Sequence, residues 1–70
     1  MELSIRNDEE FIRLGQAVKK AGITGRGSDA KLLIQNGEIS VNGEIEQRRG
    51  RKLYPGDTMS FEGKTFSIVK

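Results

Sequence analysis

The hydrophobic residues of this chain follow a helical spacing in its first half and a strand-like alternation in its second. Leu3 and Ile5 alternate with polar residues and predict a short first strand. Residues 8–21 then carry apolar positions three and four apart, which predict a first amphipathic helix. These positions are Phe11, Ile12, Leu14, Ala17, Val18 and Ala21. Asn7 and Glu10 have the spacing of a capping box, so we interpret the acidic residues 8–10 as a helix start rather than a metal site.

A second, shorter helix is predicted between Ser28 and Gly37. Ser28 is a good N-cap, because its hydroxyl can accept a hydrogen bond from a free amide of the first turn. Gly37 lies where a left-handed C-cap residue is expected. The apolar stripe of this helix consists of Ala30, Leu33 and Ile34. The short glycine-rich segment 23–27 predicts a tight turn between the two helices.

The dipeptide Asn42-Gly43 is a strong hairpin signal. A two-residue loop there pairs Val41 with Glu44 and places Ile45 opposite Ser40. Ile45 then faces away from the apolar side of the preceding strand, so either both faces are partly covered or a bulge redirects this side chain.

Two further turns complete the pattern. Pro55-Gly56 fits the central positions of a type II turn, and Glu62-Gly63 fits the loop of a last hairpin with its apolar residues on one face. These residues are Met59, Phe61, Phe66 and Ile68. The order strand, helix, helix, strands predicts a single α+β domain over residues 1–70, with two helices packed on one side of a small, twisted, mostly antiparallel sheet.

Composition argues against most enzyme classes. The chain has no cysteine and no histidine, which removes the usual metal ligands and the common nucleophile–base pairs. We therefore expect neither catalysis nor a cofactor, a metal or a small-molecule substrate. No apolar run approaches the length of a membrane span and the N-terminus lacks the apolar region of a leader, so we expect a cytoplasmic protein without membrane contact.

Positive charge is concentrated in residues 48–52, which we call the basic segment. Its four cations are Arg48, Arg49, Arg51 and Lys52. Arg26 and Lys31 could extend this patch, and Ser28 with the first amides of the second helix could hold a phosphate. Nucleic acid is favoured over the alternative of a solvated loop whose charges protect a strand edge. Tyr54, the only ring near the basic segment, could stack on a base or belong to the core.

The segment from about 11 to 61 resembles the RNA-binding domain named after ribosomal small-subunit protein S4. The family pattern S-x-A-x-x-L-I-x-x-G-x-V-x-V-N-G, followed by a basic stretch and P-G-D, has counterparts at matching spacings. They are Ser28, Ala30, Leu33, Ile34, Gly37, Ile39, Val41, Asn42, Gly43, Pro55, Gly56 and Asp57. The chain is most similar to small stand-alone bacterial members, and the resemblance implies the helix–helix–hairpin arrangement known as the αL motif.

The resemblance also implies binding to structured, often ribosomal, RNA by a non-enzymatic and monomeric protein. The implied surface comprises the second helix, the turn before it and the basic segment. Many family members have an arginine directly before the serine, whereas this chain has Gly27 there and Arg26 one position earlier. The contacts implied by position are Ser28, Lys31, Gln35, Arg48, Arg49, Arg51 and Lys52, and Arg26 is added to them for its charge alone. Two alternatives stay open, a protein-interaction adaptor and a DNA-associated protein using the same patch.

Overall fold

The computed structural model describes residues 1–23 and 27–70, with side chains at 1–23 and 29–70. Within this part the chain forms two helices, α1 (Leu14–Lys20) and α2 (Gly27–Gln35), and several short strands. The strands are β1 (Glu2–Ser4), β2 (Ile12–Arg13), β3 (Ser40–Val41), β4 (Glu44–Ile45), β5 (Lys52–Leu53), β6 (Thr58–Phe61) and β7 (Lys64–Val69).

Five strands form one mixed sheet in the order β1-β7-β6-β3-β4. β1 runs parallel to β7, while the other neighbours are antiparallel. β2 and β5 form a separate antiparallel ribbon. This architecture confirms the α+β fold with two helices and a mostly antiparallel sheet.

One hydrophobic core joins the helices to the sheet. Buried side chains from both helices, from the five-stranded sheet and from the ribbon belong to the same cluster, so the elements fold as one unit. Its members are Leu3, Ile5, Leu14, Ala17, Val18, Ala30, Ile34, Ile39, Val41, Leu53, Met59, Phe66 and Ile68.

The predicted start of the first helix is wrong, because α1 begins at Leu14 rather than near Asp8. The chain before it instead forms a turn, in which the Glu9 amide donates to the Arg6 carbonyl, and then strand β2. Asn7 and Glu10 therefore do not cap this helix. The side chain of Gln16 accepts the Arg13 amide, which places the helix boundary six residues later. Pairing with the distant β5 overrides the local helical spacing.

The C-terminal end of α2 forms as predicted. Gly37 has a φ of +76°, a conformation that costs glycine little. Its amide donates to the Ile34 carbonyl, and the Glu38 amide donates to the Leu33 carbonyl. This pair of bonds is a Schellman motif, which satisfies carbonyls that the end of the helix leaves unpaired.

The predicted turns between strands and their registers are confirmed, whereas the turn predicted over 23–27 lies mostly outside the described residues. Asn42 and Gly43 both have positive φ, as a type I′ hairpin turn requires, and Ser40 pairs with Ile45. The Asp57 amide donates to the Tyr54 carbonyl across the Pro55-Gly56 turn. Ile45 keeps its outward orientation and stays 67% exposed, so neither of the two arrangements suggested for it is needed.

Side-chain bonds connect the first hairpin to the Pro55-Gly56 turn. The Asn42 side chain accepts a hydrogen bond from the Thr58 amide at 2.9 Å and donates one to an Asp57 carboxylate oxygen at 3.2 Å. The other Asp57 oxygen accepts the Tyr54 amide at 2.8 Å. The N-G and P-G-D motifs are therefore parts of one hydrogen-bonded corner.

Replacing Asn42 with alanine is expected to lower the free energy of unfolding by about 1.5 kcal/mol. The change removes exposed hydrogen bonds of modest value and places alanine, which tolerates the left-handed region less well than asparagine, at a φ of +52°. Asn42→Gly is the matched control, since it loses the same bonds but tolerates the backbone. Urea unfolding should show a smaller loss for glycine than for alanine; equal losses would contradict the argument from backbone strain.

Candidate nucleic-acid interface

The first turn of α1 holds the basic segment in place. The amides of Leu14 and Gly15, which have no partner within their own helix, donate to the carbonyls of Arg51 and Arg49 at 2.8 and 3.0 Å. The Arg13 guanidinium adds a bond from Nη1 to the Gly50 carbonyl at 2.9 Å. The segment is thus attached through its backbone, which leaves its side chains available for other contacts.

Gly15 permits this close approach. A Cβ at this position would lie only 2.6 Å from Cγ of Arg49 and 3.6 Å from its carbonyl oxygen. The first distance is too short for any residue larger than glycine unless the Arg49 side chain moves, whereas the second is an ordinary van der Waals contact. Gly15 therefore makes room for the basic segment rather than for the second helix.

An open groove of about 430 Å³ lies between α1, the start of α2 and the basic segment. Three of its lining side chains are cationic, and none of the described lining residues is acidic. The lining consists of Arg13, Gly15, Gln16, Lys19, Ala30, Arg49 and Gly50. A concave surface lined by charges of one sign concentrates its potential, so the groove is suited to an anionic ligand.

Sequence reasoning missed two of the three cations in this groove. Lys19 and Arg13 both fall within the helix predicted over residues 8–21 and outside the basic segment, and α1 in fact begins after Arg13. Gln16 and Lys19 are three residues apart and both exposed, which is the spacing of neighbours on one helix face. That spacing was the available signal, but only the structure brings Arg49 beside it.

Two other cations of the basic segment are paired with a buried carboxylate. Glu46 accepts hydrogen bonds from Nη2 and Nε of Arg48 at 3.0 and 3.1 Å and from Nη1 of Arg51 at 2.9 Å. Only 7% of Glu46 is exposed. The hydrogen bonds from Arg48 and Arg51 lower the pKa of Glu46 from 4.5 to about 2, and Glu46 in turn raises the pKa of Arg48.

The sequence analysis does not predict this ion pair, although Glu46 precedes the first of the four cations by only two residues. Arg51 is partly buried by the contact, with its side chain 32% exposed. Arg48 keeps a side chain that is 77% exposed. Glu46 therefore orients the two guanidinium groups, and Arg48 remains accessible to a ligand.

Of the remaining residues predicted as RNA contacts, the described ones lie outside the groove lining and the Glu46 ion pair. Lys52 places Nζ 4.9 Å from the centroid of the Phe11 ring. Lys31 and Gln35 are exposed on α2, outside the lining of the groove, and the Gln35 carbonyl accepts a bond from the Gln47 side chain at 3.0 Å. Arg26 and the side chain of Ser28 lie outside the described residues, so the phosphate seat at the start of α2 stays a prediction.

Residues 1–23 and 27–70 contain no group of three or more acidic side chains positioned to hold a metal ion. Asp8 and Glu9, two of the acidic residues before α1, lie 3.8 Å from the Arg6 guanidinium instead. No helix in the same residues is long and apolar enough to cross a membrane.

The fold and the groove together define a small α+β module with a cationic concave surface. Residues 4–69 match the S4 domain, and the chain belongs to this family. The match covers nearly the whole chain and confirms the resemblance that the motif predicted.

Individual relatives agree with this assignment. The chain is 46% identical over 63 residues to the probable ribosome maturation protein RlbA of Bacillus subtilis, covering 89% of both chains. It is 33% identical over 58 residues to YbcJ of Escherichia coli, covering 83% of both. The solution structure of YbcJ, described as revealing an αL motif involved in RNA binding, superimposes with a TM-score of 0.71 over 99% of this chain and 86% of that one, at 29% identity.

Proposed function

We propose that this protein binds structured RNA through the groove and the basic segment and catalyses no reaction. The observation that carries the proposal is the groove itself, where Arg13, Lys19 and Arg49 converge without a carboxylate in the described lining. A polyanion is the ligand that such a surface favours. The description of YbcJ as having a motif involved in RNA binding supports RNA as that polyanion.

The groove supplies phosphate contacts of two kinds. Arg13 and Arg49 can each grip a phosphate with two N–H groups, while Lys19 acts as a compact charge. Because the backbone of the basic segment is attached to α1 and the Arg13 guanidinium bonds to Gly50, the backbone positions that carry these donors are fixed before RNA binds, which lowers the entropic cost of binding. Arg48, oriented by Glu46, extends the same surface outward.

Recognition in this proposal depends on RNA shape. Phosphate contacts position a protein but carry little sequence information, so selectivity comes from the spacing of phosphates in A-form helices and their junctions. The outer contacts are those predicted from the sequence: Ser28, Lys31, Gln35, Arg51 and Lys52 from the family resemblance, and Arg26 from its charge. The name of RlbA favours a folded ribosomal RNA as the partner class.

The proposal is tested with three nucleic acids of equal length: an RNA hairpin carrying a single-nucleotide bulge, the corresponding DNA hairpin and an unstructured RNA strand. We expect the RNA hairpin to bind most tightly. If about five phosphates are neutralised, log K should fall with log salt concentration at a slope of roughly −3.5 to −4.5. A fluorescence anisotropy titration between low and moderate salt measures both quantities.

Each alternative has its own signature. Equal affinity for the RNA and DNA hairpins would favour a DNA-associated or non-specific protein. A cellular partner that stays bound to the immobilised protein after ribonuclease treatment would favour a protein adaptor. A slope near zero would remove the electrostatic basis of the proposal altogether.

A further inference from the structure

The β2–β5 ribbon presents an unusual outer face. Ile12 pairs with Leu53, and both contribute to the core, Leu53 being fully buried. Since side chains alternate along a strand, the neighbouring residues project to the opposite side. Arg13 and Lys52 are paired directly across the ribbon and are both exposed.

Two aromatic rings lie one position further along this ribbon. Phe11 precedes Ile12, and Tyr54 follows Leu53. Their ring centroids are 5.8 Å apart and the ring planes are inclined by 52°. Phe11 is half-buried, whereas Tyr54 is 45% exposed. The outer face therefore carries a pair of rings next to a pair of cations.

Like charges paired across strands destabilise a ribbon. Both cations lie over the Phe11 ring, with Arg13 Cζ at 5.5 Å and Lys52 Nζ at 4.9 Å from its centroid, and these contacts offset part of the repulsion. The arrangement gathers two positive charges and an accessible ring at one point of the surface. A ligand that combines an anionic group with an aromatic group could pair with the two charges and stack on the ring.

A nucleotide is such a ligand, and Arg13 connects this face to the groove. Arg13 lines the groove, and its guanidinium bonds to the Gly50 carbonyl and lies over Phe11. An RNA backbone lying in the groove would consequently pass beside Tyr54. A base of that backbone can reach the ring only if it is unpaired, because paired bases are stacked inside the helix.

We propose that Tyr54, supported by Phe11, is the stacking site for one unpaired base of the bound RNA, with Lys52 and Arg13 holding the phosphate beside it. This inference rests on the proposed function, and it names the RNA feature that is selected: a bulged or flipped-out nucleotide next to a helix. One accessible ring accommodates one base, which distinguishes this site from a platform for a long single strand.

The chain offers a built-in probe, since Tyr54 is its one tyrosine and it has no tryptophan. Tyrosine emission therefore reports on this site alone. Three RNA hairpins are compared: one with a single-nucleotide bulge, one with an abasic residue at the bulge and one fully paired. We expect the base-containing bulge to quench the emission strongly and to bind about five- to 150-fold more tightly than the abasic hairpin, the range typical of one base on one aromatic side chain.

Substitutions of Tyr54 test whether its ring causes the preference for the base-containing bulge. Tyr54→Phe should keep the preference for the base over the abasic bulge, and Tyr54→Ala should abolish it while leaving the dependence of affinity on salt unchanged. Ile45→Ala is the control, because it removes another exposed apolar side chain from a different strand. Circular dichroism of each variant checks that the fold is intact, and Tyr54→Leu, which keeps an apolar side chain but has no ring, replaces Tyr54→Ala as the test if that variant does not fold.

The outcomes separate this inference from the proposed function. Tight binding of all three hairpins, without preference for the base and without quenching, would overturn the stacking site and leave RNA binding in place. Binding of none of them would overturn the proposed function itself. A preference for the base that persists in Tyr54→Ala would also overturn the site, since another group would then read the base.

Discussion

A triple variant, Arg13→Gln, Lys19→Gln and Arg49→Gln, is expected to bind structured RNA about 100- to 1,000-fold more weakly than the parent protein. Each change removes one charged contact to phosphate, worth a little over 1 kcal/mol net, and about 1.4 kcal/mol corresponds to a factor of ten in affinity. The slope of log K against log salt should become shallower by about two to three, since each phosphate contact contributes slightly less than one unit. Anisotropy titrations at several salt concentrations measure both effects.

A control variant with the same net charge distinguishes the effect of the groove residues from the effect of overall charge. Arg6→Gln, Lys64→Gln and Lys70→Gln remove the same three charges from residues that do not line the groove. We expect this control to lose far less affinity than the groove variant. Similar losses in the two triple variants would mean that overall charge, rather than the groove, attracts RNA. Unfolding midpoints of both variants verify that each protein is folded at the assay temperature.

Glu46→Gln is expected to destabilise the protein by about 2 kcal/mol at neutral pH. The variant keeps the size of the side chain but loses the charge that Arg48 and Arg51 surround. A pKa lowered from 4.5 to about 2 corresponds to at most about 3 kcal/mol. The exposure of Arg48 reduces the expected contribution, because solvent screens this half of the pair. For a domain of this size the melting temperature should fall by roughly 10 °C.

The pH dependence of this contribution follows from the direction of the pKa shift. The unfolded chain binds the proton more readily than the folded one, so the stabilisation is complete above pH 4.5 and disappears as the pH falls to about 2. The difference in unfolding free energy between the parent and Glu46→Gln should shrink over that window. Glu44→Gln, an exposed change in the same hairpin, is the control. A difference that stays constant from neutral pH to pH 2 would contradict the role assigned to the carboxylate.

Local signals were sufficient for the second half of the chain. The end of α2 at Gly37 and the hairpins at Asn42 and Glu62 depend on the residues that form them, so a sequence reader can identify them. The first half depends on contacts between distant residues. Asp8 to Arg13 have a helical spacing, but pairing of β2 with β5 takes Ile12 and Arg13 out of the helix.

The candidate site was predictable only in part for the same reason. The basic segment is visible as a run of cations, but its division among three surroundings is not. Arg49 lies at the groove, Arg48 and Arg51 contact Glu46, and Lys52 lies over an aromatic ring. Each environment includes a residue that is either far from the basic segment in the sequence or opposite to it in charge. Composition shows that positive charge is present, whereas the fold decides which charges are free to meet a ligand.

The most direct measurement follows backbone amide and arginine Nε–Hε resonances of the ¹⁵N-labelled protein as the bulged RNA hairpin is added. We expect the largest shifts at Gly15, Gln16 and Gly50 and at the guanidinium groups of Arg13 and Arg49, with little change along β7. Shifts concentrated on β1 and β7, with the groove resonances unmoved at saturation, would contradict this expectation.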